Sequence, residues 1–446
     1  MKKRLTALLA ALLMVLPVQA EAAGQLGTSP KTPAEMPSQA TSSSDTTDTT
    51  DGQSSQPTAE DTDSQPDNPL ITAPHWQEQN GQYILLDGQG NPLTGWQQMD
   101  GNWYLLSESG IRQTGWREVD GKWYYLDSDG IMLDGWQKIG EKWYLFSGGA
   151  MKTGWVYNGG KWYYFAEGGA MQTGWLNLNG KRYYLTASGA MKTGAITEGS
   201  TVYTLDSSGA VVSSKDLSTL SNKALGWGQG TQVDSSNRPI GALSYQDKYG
   251  ALGGQFIGPN EKVIYLTFDE GYENGYTASI LDTLKAKGVQ ATFFITGDYL
   301  DSQPELVGRM IDEGHAVGNH TVNHPNLPQC SISRRADEIG DLHDAVEEKY
   351  GYSMYLMRPP EGVFSEQVLA QAQGMGYQTV LWSFAYKDWD PSAQMSTSTA
   401  LQKTTSALHP GAIYLLHAVS KTNAAILGDF IDTARQKGYT FGILPR

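Results

Sequence analysis

The rhythm of apolar and polar positions changes several times along the chain. After Lys2-Lys3-Arg4, an apolar stretch runs from Leu5 to Leu16, ends at Pro17 and gives way to small residues up to Ala23. Such a stretch is shorter than the roughly 20 residues that a spanning helix needs. A basic start, an apolar run and a small-residue end therefore predict a cleaved secretory leader over 1–23. Residues 24–74 are rich in Ser, Thr, Pro, Gln and Asp with almost no aromatics. That composition cannot bury enough apolar surface to offset the entropy of ordering, and predicts a disordered linker. From 75 to 212, aromatic pairs alternate with polar turns at a fixed spacing. From 261 to 446, short apolar runs at 263–268, 291–296, 315–318, 354–357, 378–384, 411–416 and 439–443 alternate with helical stretches such as 277–287, 304–313 and 333–350. Residues 213–260 follow neither rhythm and read as a connecting segment.

The aromatic region is a sequence repeat. Trp96, Trp116, Trp136, Trp155 and Trp175 each follow a glycine at intervals of 19 or 20, and Tyr83, Trp103, Trp123, Trp143 and Trp162 keep nearly the same period. Turn pairs such as Asp120-Gly121 and Asn179-Gly180 lie between two short aromatic strands, so each unit is predicted to be a β-hairpin. One hairpin is marginal in water, and about six must stack to share a core, giving an all-β solenoid. Half of the rings serve as that core. The others wall shallow pockets between units, suited to a quaternary ammonium through cation–π attraction. The last unit, with Gly194-Ala195 for Gly-Trp and Arg182-Tyr183 for Trp-Tyr, reads as a cap.

The alternation of runs and helices after 261 predicts a parallel α/β sheet closed into a distorted (β/α) barrel of about seven strands. Asp269, Arg358, Asp388 and His417 each follow the apolar run of a strand, which in a barrel gathers them at one mouth. Composition sharpens the division. Ten of 13 Trp lie between Trp76 and Trp175, whereas six of seven His lie between His315 and His417, so two domains carry different chemistry. The net charge of −15 argues against nucleic acid as a partner. The single cysteine, Cys330, excludes an internal disulfide and reads as a small loop or core residue. His315 reads as structural, and His343 and His409 as surface residues.

His320 and His324, at i and i+4, would clamp a metal from one side of a helical turn. Asp269-Glu270 ends the run Val263–Phe268 and offers a base and a third ligand. Five motifs then follow in order: Thr267-Phe268-Asp269-Glu270-Gly271, His320-Thr321-Val322-Asn323-His324, Arg358-Pro359-Pro360-Glu361-Gly362, Trp382 through Asp388-Trp389, and Leu415-Leu416-His417. Together they resemble the polysaccharide deacetylases with the NodB homology domain, family four of the carbohydrate esterases. The stretches Gly271-Tyr272-Glu273-Asn274-Gly275, Gly362-Val363-Phe364-Ser365-Glu366 and Gly226-Trp227-Gly228 are similar to members that act on N-acetylmuramic acid and prepare muramic δ-lactam. The hairpin units, as in Thr114-Gly115-Trp116 through Lys122-Trp123-Tyr124-Tyr125, resemble the cell-wall or choline-binding repeats of Gram-positive surface proteins.

The resemblance implies a secreted hydrolase of the peptidoglycan acetamide. It would be non-covalently attached to the wall, with no membrane span, and monomeric. Its partners would be glycan strands and, through the repeats, choline-bearing or other wall polymers. It implies a divalent metal, zinc first with cobalt or manganese as alternatives, held by His320, His324 and Glu270. Asp269 would be the general base, Arg358 its partner, His417 the acid oriented by Asp388, and a backbone N–H near Glu361 the oxyanion donor. Trp389, Leu415, Glu361 and Tyr272 would contact substrate. Two positions depart from the family pattern: Glu270 stands where Asp is usual and Asn typical of the muramic subgroup, and Glu361 where an aromatic or arginine is commoner. N-acetylglucosamine is the alternative target, and a barrel that binds glycan without catalysis the alternative of another class. Deacetylation of xylan or chitin fits the repeats poorly.

Overall fold

The computed structural model describes residues 73–445. The leader expected over 1–23 and the acidic segment up to residue 72 lie outside the described residues. The chain divides into two compact units, one ending at Gln172 and the other running from Thr173 to the C-terminus. Among the described residues, no helix is long and apolar enough to cross a membrane.

The first unit is built from hairpins, of which the clearest are Gly95–Met99 with Asn102–Leu106 and Gly115–Val119 with Lys122–Leu126. Asp120 (φ 50°) and Gly121 (φ 70°) both lie in the left-handed region. A two-residue turn of that hand matches the twist of the strands it joins. The register sets Trp116 against Tyr125 and Glu118 against Trp123. Each loop reaches back to the preceding hairpin: the Arg112 N–H donates to the Tyr83 carbonyl and the Met132 N–H to the Trp103 carbonyl, both at 2.8 Å. Leu85, Leu106, Leu126 and Phe165 are buried along the stack. The predicted solenoid of sharing hairpins is therefore what forms.

The second unit opens with two further hairpins, Gly174–Leu178 with Lys181–Leu185 and Gly194–Glu198 with Thr201–Leu205, the latter widened by a third strand, Val211–Asp216. Val202 and Leu217 pack on Ala370. These last hairpins thus rest against the α/β domain and not only on one another.

The α/β domain is an all-parallel sheet of β1 (Gly254–Gln255), β2 (Val263–Glu270), β3 (Thr292–Ile295), β4 (Ala316–Asn319), β5 (Leu356–Met357), β6 (Gln378–Val380), β7 (Ala412–His417) and β8 (Thr440–Phe441). Its order is β1-β6-β5-β4-β3-β2-β7, with β8 beside the start of β2. The run predicted over 378–384 is broken at Val380. The chain continues to Phe384, whose parallel bridge to Tyr414 on β7 closes the sheet into the distorted barrel. The helices α1 (Ile240–Tyr249), α2 (Thr277–Lys287), α3 (Gly297–Ser302), α4 (Pro304–Asp312), α5 (Ile332–Tyr350), α6 (Glu366–Gly374), α7 (Thr397–Ser406) and α8 (Lys421–Gln436) accompany it. Only α2, α4 and α5 are legible as periodic patterns. α7, for example, buries only Ala400 and Thr404, too narrow a stripe to stand out.

Strand alternation decides what each side chain can reach. On β2, Ile264, Leu266 and Phe268 join the core under the helices, whereas Tyr265 joins the core inside the barrel. Asp269 shares its parity with Tyr265, and Glu270 with Phe268. The outer core is dense, with Phe268 stacked on Phe293 at 5.1 Å and 15°. Phe293→Ala, which empties a fully buried aromatic site, is expected to cost about 3–5 kcal/mol, read as a lowered midpoint in denaturant unfolding of the purified chain.

Candidate active site

The strand ends on one side of the barrel surround a cavity of about 670 Å³. Asp269, from the inward face of β2, lines it together with His320 and His324, which follow β4, and His417, which ends β7. Tyr272, Glu361, Trp389 and Leu415 also line it.

Asp269 is held by a buried guanidinium. Arg358 Nη1 donates to Asp269 Oδ1 at 2.6 Å, Nη2 donates to Thr267 Oγ1 at 2.8 Å, and Nε donates to the Val380 carbonyl at 3.1 Å. Its planar face lies 4.2 Å from the Phe294 ring centroid, and it is fully buried. Two prolines follow Arg358 and restrict the backbone there. Burial pushes the Asp269 carboxyl up, but Arg358, His320 and His417 outweigh it and hold it below the usual carboxylate range.

His320 and His324 do not sit on a helix. They lie in the loop after β4, where Thr321 (φ 70°) and His324 (φ 53°) adopt left-handed conformations, and the Thr321 hydroxyl accepts from the His324 N–H at 3.1 Å. This bend brings the two rings to 4.8 Å between centroids, so the pairing expected of a helical turn is made by a strained loop. His320 Nδ1 faces the Arg358 carbonyl at 2.8 Å, and Nε2 stands 3.6 Å from Asp269 Oδ2. Nδ1 therefore carries the proton and Nε2 keeps its lone pair on the cavity side. Burial pulls its pKa down to about 4, which keeps the ring neutral.

On the opposite wall, His417 Nδ1 meets Asp388 Oδ1 at 2.7 Å, and the Asp388 Oδ2 accepts from the His417 backbone N–H at 2.9 Å and from Asn423 Nδ2 at 2.6 Å. Burial pulls the His417 imidazolium down, but the Asp388 hydrogen bond and charge, with Asp269, outweigh it and raise its pKa above the ordinary histidine value. Trp389 lies 5.9 Å from the His417 ring and is about half exposed.

Glu270 stands apart. It is fully buried, neither carboxyl oxygen has a hydrogen-bond partner in the structure, and it does not line the cavity. Its parity on β2 turns it toward Glu273, Thr277 and Tyr299, beneath α2 and α3. Burial first, then Glu273 and Asp269, push its carboxyl well above the usual range, which favours its neutral form. The third ligand expected at this position is therefore not presented. Among the described residues, no three His, Cys, Asp or Glu side chains form a set that could hold a metal ion. Two imidazoles on one wall, of which His320 is kept neutral by burial with its tautomer set by a carbonyl, still fit a divalent ion anchored at two points and otherwise open.

Two tryptophans of the motif stretches, to which the sequence assigns no site role, also belong to the cavity. Trp227 and Trp382 line it, and Trp227 Nε1 donates to the Trp382 carbonyl at 3.0 Å. The stretch 213–260 thus does more than connect: Leu225–Gly226 pairs with Val363–Phe364 and places Trp227 at the mouth. Glu361 has a left-handed backbone (φ 57°), and a Cβ on the adjoining Gly362 would meet Trp382 at 2.4 Å. His315 is buried as expected and accepts from the Ala291 N–H. His409, expected at the surface, is instead buried and bonded to Ser383 Oγ at 2.8 Å, because the turn after α7 folds it into the barrel wall. His343 is half-buried, 2.6 Å from the Tyr377 hydroxyl.

A closed parallel barrel carrying a carboxylate–arginine pair opposite a carboxylate–imidazole pair has the acid–base groups of a hydrolase. The polysaccharide deacetylase profile matches residues 257–380, the choline-binding repeat profile 93–133 and 133–173, and a cell wall binding repeat profile 173–191. The peptidoglycan-N-acetylmuramic acid deacetylase PdaA of Bacillus subtilis is 44% identical over 225 residues, 49% of this chain and 84% of that protein. The peptidoglycan-N-acetylglucosamine deacetylase PgdA of Listeria monocytogenes is 36% identical over 180 residues, 40% of this chain and 37% of that protein. The solved structure of B. subtilis PdaA, a family 4 carbohydrate esterase, aligns with a TM-score of 0.48 at 40% identity, covering 50% of this chain and 96% of that one. The chain belongs to the polysaccharide deacetylase family and carries choline-binding repeats; it is a hydrolase of polysaccharide amide bonds.

The position of Glu270 yields a direct test. Glu270→Gln is expected to leave the affinity for added zinc or cobalt unchanged, whereas His320→Ala weakens it on the order of tenfold or more. Equilibrium dialysis with metal analysis reads both, and an equal loss in Glu270→Gln would mean that this carboxylate swings into the cavity.

Proposed function

We propose that the chain is a secreted, wall-attached peptidoglycan de-N-acetylase that hydrolyses the acetamide of N-acetylmuramic acid to acetate and free amine. Residues 261–446 perform the reaction and residues 75–212 hold the wall. The observation that carries the reading is the pair of dyads on opposite walls of one cavity, Asp269–Arg358 and Asp388–His417. The 44% identity to the B. subtilis muramic acid deacetylase supports the choice of sugar, and the repeats support attachment through choline-bearing or other wall polymers.

His320 and His324 would hold a divalent metal, zinc first, which supplies a polarised carbonyl and an acidified water. Asp269, ionised by Arg358, takes the proton of the attacking water. A backbone N–H at the Glu361 turn donates to the developing oxyanion. His417, protonated and aimed by Asp388, gives its proton to the leaving amine, while Trp389 and Leu415 wall the acetyl methyl and Tyr272 contacts the sugar. N-acetylglucosamine is the second reading, favoured by Glu361, whose carboxylate at the cavity wall opposes the anionic lactyl group of a muramic acid stripped of its peptide.

Acetate release and mass spectrometry on isolated glycan strands, intact or stripped of peptide, test the reading with added metal. Free amine at muramic acid is expected; free amine only at glucosamine selects the second reading. No acetate from either would favour a glycan-binding protein without catalysis. Activity should fall as pH drops through the lowered pKa of Asp269, since the base is then protonated, and fall as pH rises through the raised pKa of His417, since the acid is then lost. Asp388→Asn removes the charge that raises His417. Its basic limb is expected to shift to lower pH and its kcat to drop about 10²–10⁴-fold, measured as a pH–rate profile; an unshifted limb would remove His417 from the acid's role.

A further inference from the structure

The repeats place two rings and a third group at corresponding positions of successive units. Trp96 with Tyr124, Trp116 with Tyr144 and Trp136 with Tyr163 meet edge to face at 4.8, 5.1 and 4.9 Å. The third wall is Trp103, Trp123 and Trp143 in turn, with Trp116–Trp123 and Trp136–Trp143 both at 6.4 Å. Trp103 and Trp123 are each more than 40% exposed, so these cages open to solvent. A methionine closes the neighbouring loop position, as Met132 does beside Trp103 and Met171 beside Trp143.

The two end cages keep the same ring pair but change its neighbour. Trp175 meets Tyr203 at 4.7 Å and 65°, and Trp76 meets Tyr104 at 5.0 Å and 68°. At the C-terminal end, the third-wall tryptophan is replaced by Arg182, whose guanidinium lies 3.7 Å from the Trp175 ring centroid and 4.9 Å from that of Tyr203. At the N-terminal end, the loop methionine is replaced by Arg112, whose N–H bonds to Tyr83 as the Met132 N–H does to Trp103. Its guanidinium lies 4.4 Å from the Tyr83 ring and 5.8 Å from that of Trp76. Two different substitutions, in two separate places, end with a cation on the aromatic faces. A guanidinium stacks on such faces by the same attraction that recognises a quaternary ammonium. It is covalently tethered, so its effective concentration at the rings far exceeds that of a free ligand. Glu198, which accepts from Trp175 Nε1 at 2.8 Å, adds a carboxylate at the rim where Asn158 serves Trp136.

We propose that Arg112 and Arg182 are built-in occupants of the first and last aromatic cages, which closes both to quaternary ammonium ligands and leaves wall binding to the cages between them. The inference rests on the reading that the interior cages bind choline. It makes the end units caps in a chemical sense: they present no free site.

Titration of the full chain with choline chloride, by equilibrium dialysis and calorimetry, tests it through stoichiometry. Arg182→Trp and Arg112→Met, which restore the residues found in the interior units, are each expected to raise the number of bound choline molecules by one, and the double variant by two. Arg182→Ala removes the cation without adding bulk and is read beside Arg182→Trp, with circular dichroism confirming that each is folded. Arg182→Lys keeps a tethered cation and is expected to add none. Unchanged stoichiometry in folded Arg112→Met, or in both folded Arg182→Trp and Arg182→Ala, overturns the proposal. Choline bound by the variants but not by wild type would uphold it and overturn the interior-cage reading; choline bound by no protein overturns both.

Discussion

Arg358 is the residue on which the barrel mouth depends. From the end of β5 it reaches the carboxylate and hydroxyl of β2 and the carbonyls that follow from β6, while Thr267 passes the connection on to the Tyr414 carbonyl of β7 at 2.6 Å. Four strand ends are thereby tied through one guanidinium. A cation so fully buried is tolerable only because nearly all of its donors are used and a carboxylate compensates its charge. The same pairing holds the Asp269 carboxyl below the usual range in a site whose burial would otherwise push it up. Structural closure and chemical readiness are one interaction.

The contrast with Glu270 shows how local that effect is. Two adjacent carboxyls on one strand, one residue apart, end in opposite states because the pleat sends them to opposite faces. Asp269 meets a guanidinium inside the barrel; Glu270 meets Glu273, Thr277 and Tyr299 outside it. Across the cavity, His417 stands between these extremes, with burial opposed by Asp388, and its charge depends on an anion that Asn423 and the backbone hold in place. The cavity thus sets a carboxyl with a lowered pKa opposite an imidazole with a raised one.

Much of this was legible in the chain. The 20-residue aromatic period is a sequence property that stacking merely realises, and the seven apolar runs each contain a strand. Short elements escaped: β1 has two residues, α7 a two-residue buried stripe, and neither has enough period to register. The spacing of the histidine pair predicts a helical turn, since i and i+4 share a face there, whereas two left-handed residues achieve the same meeting in a loop. Trp227 stands in a stretch that carries the family resemblance, but its place at the mouth is not readable there, because it enters through a two-residue strand from a segment without periodicity. The burial of His409 is not legible in the chain, because a single histidine beside a proline and a glycine carries no burial signal of its own.

The sequence by itself determined the two architectures, the motif residues and the repeat register, because these follow from periodicities and residue types that local physics reads directly. Only the tertiary structure decided which carboxyl of the Asp269-Glu270 pair faces the cavity, which aromatic cages are already filled by Arg112 and Arg182, and how the segment before the barrel contributes to its mouth. Those outcomes depend on strand parity, on distances across the barrel and on neighbours far apart in the chain, none of which spacing encodes.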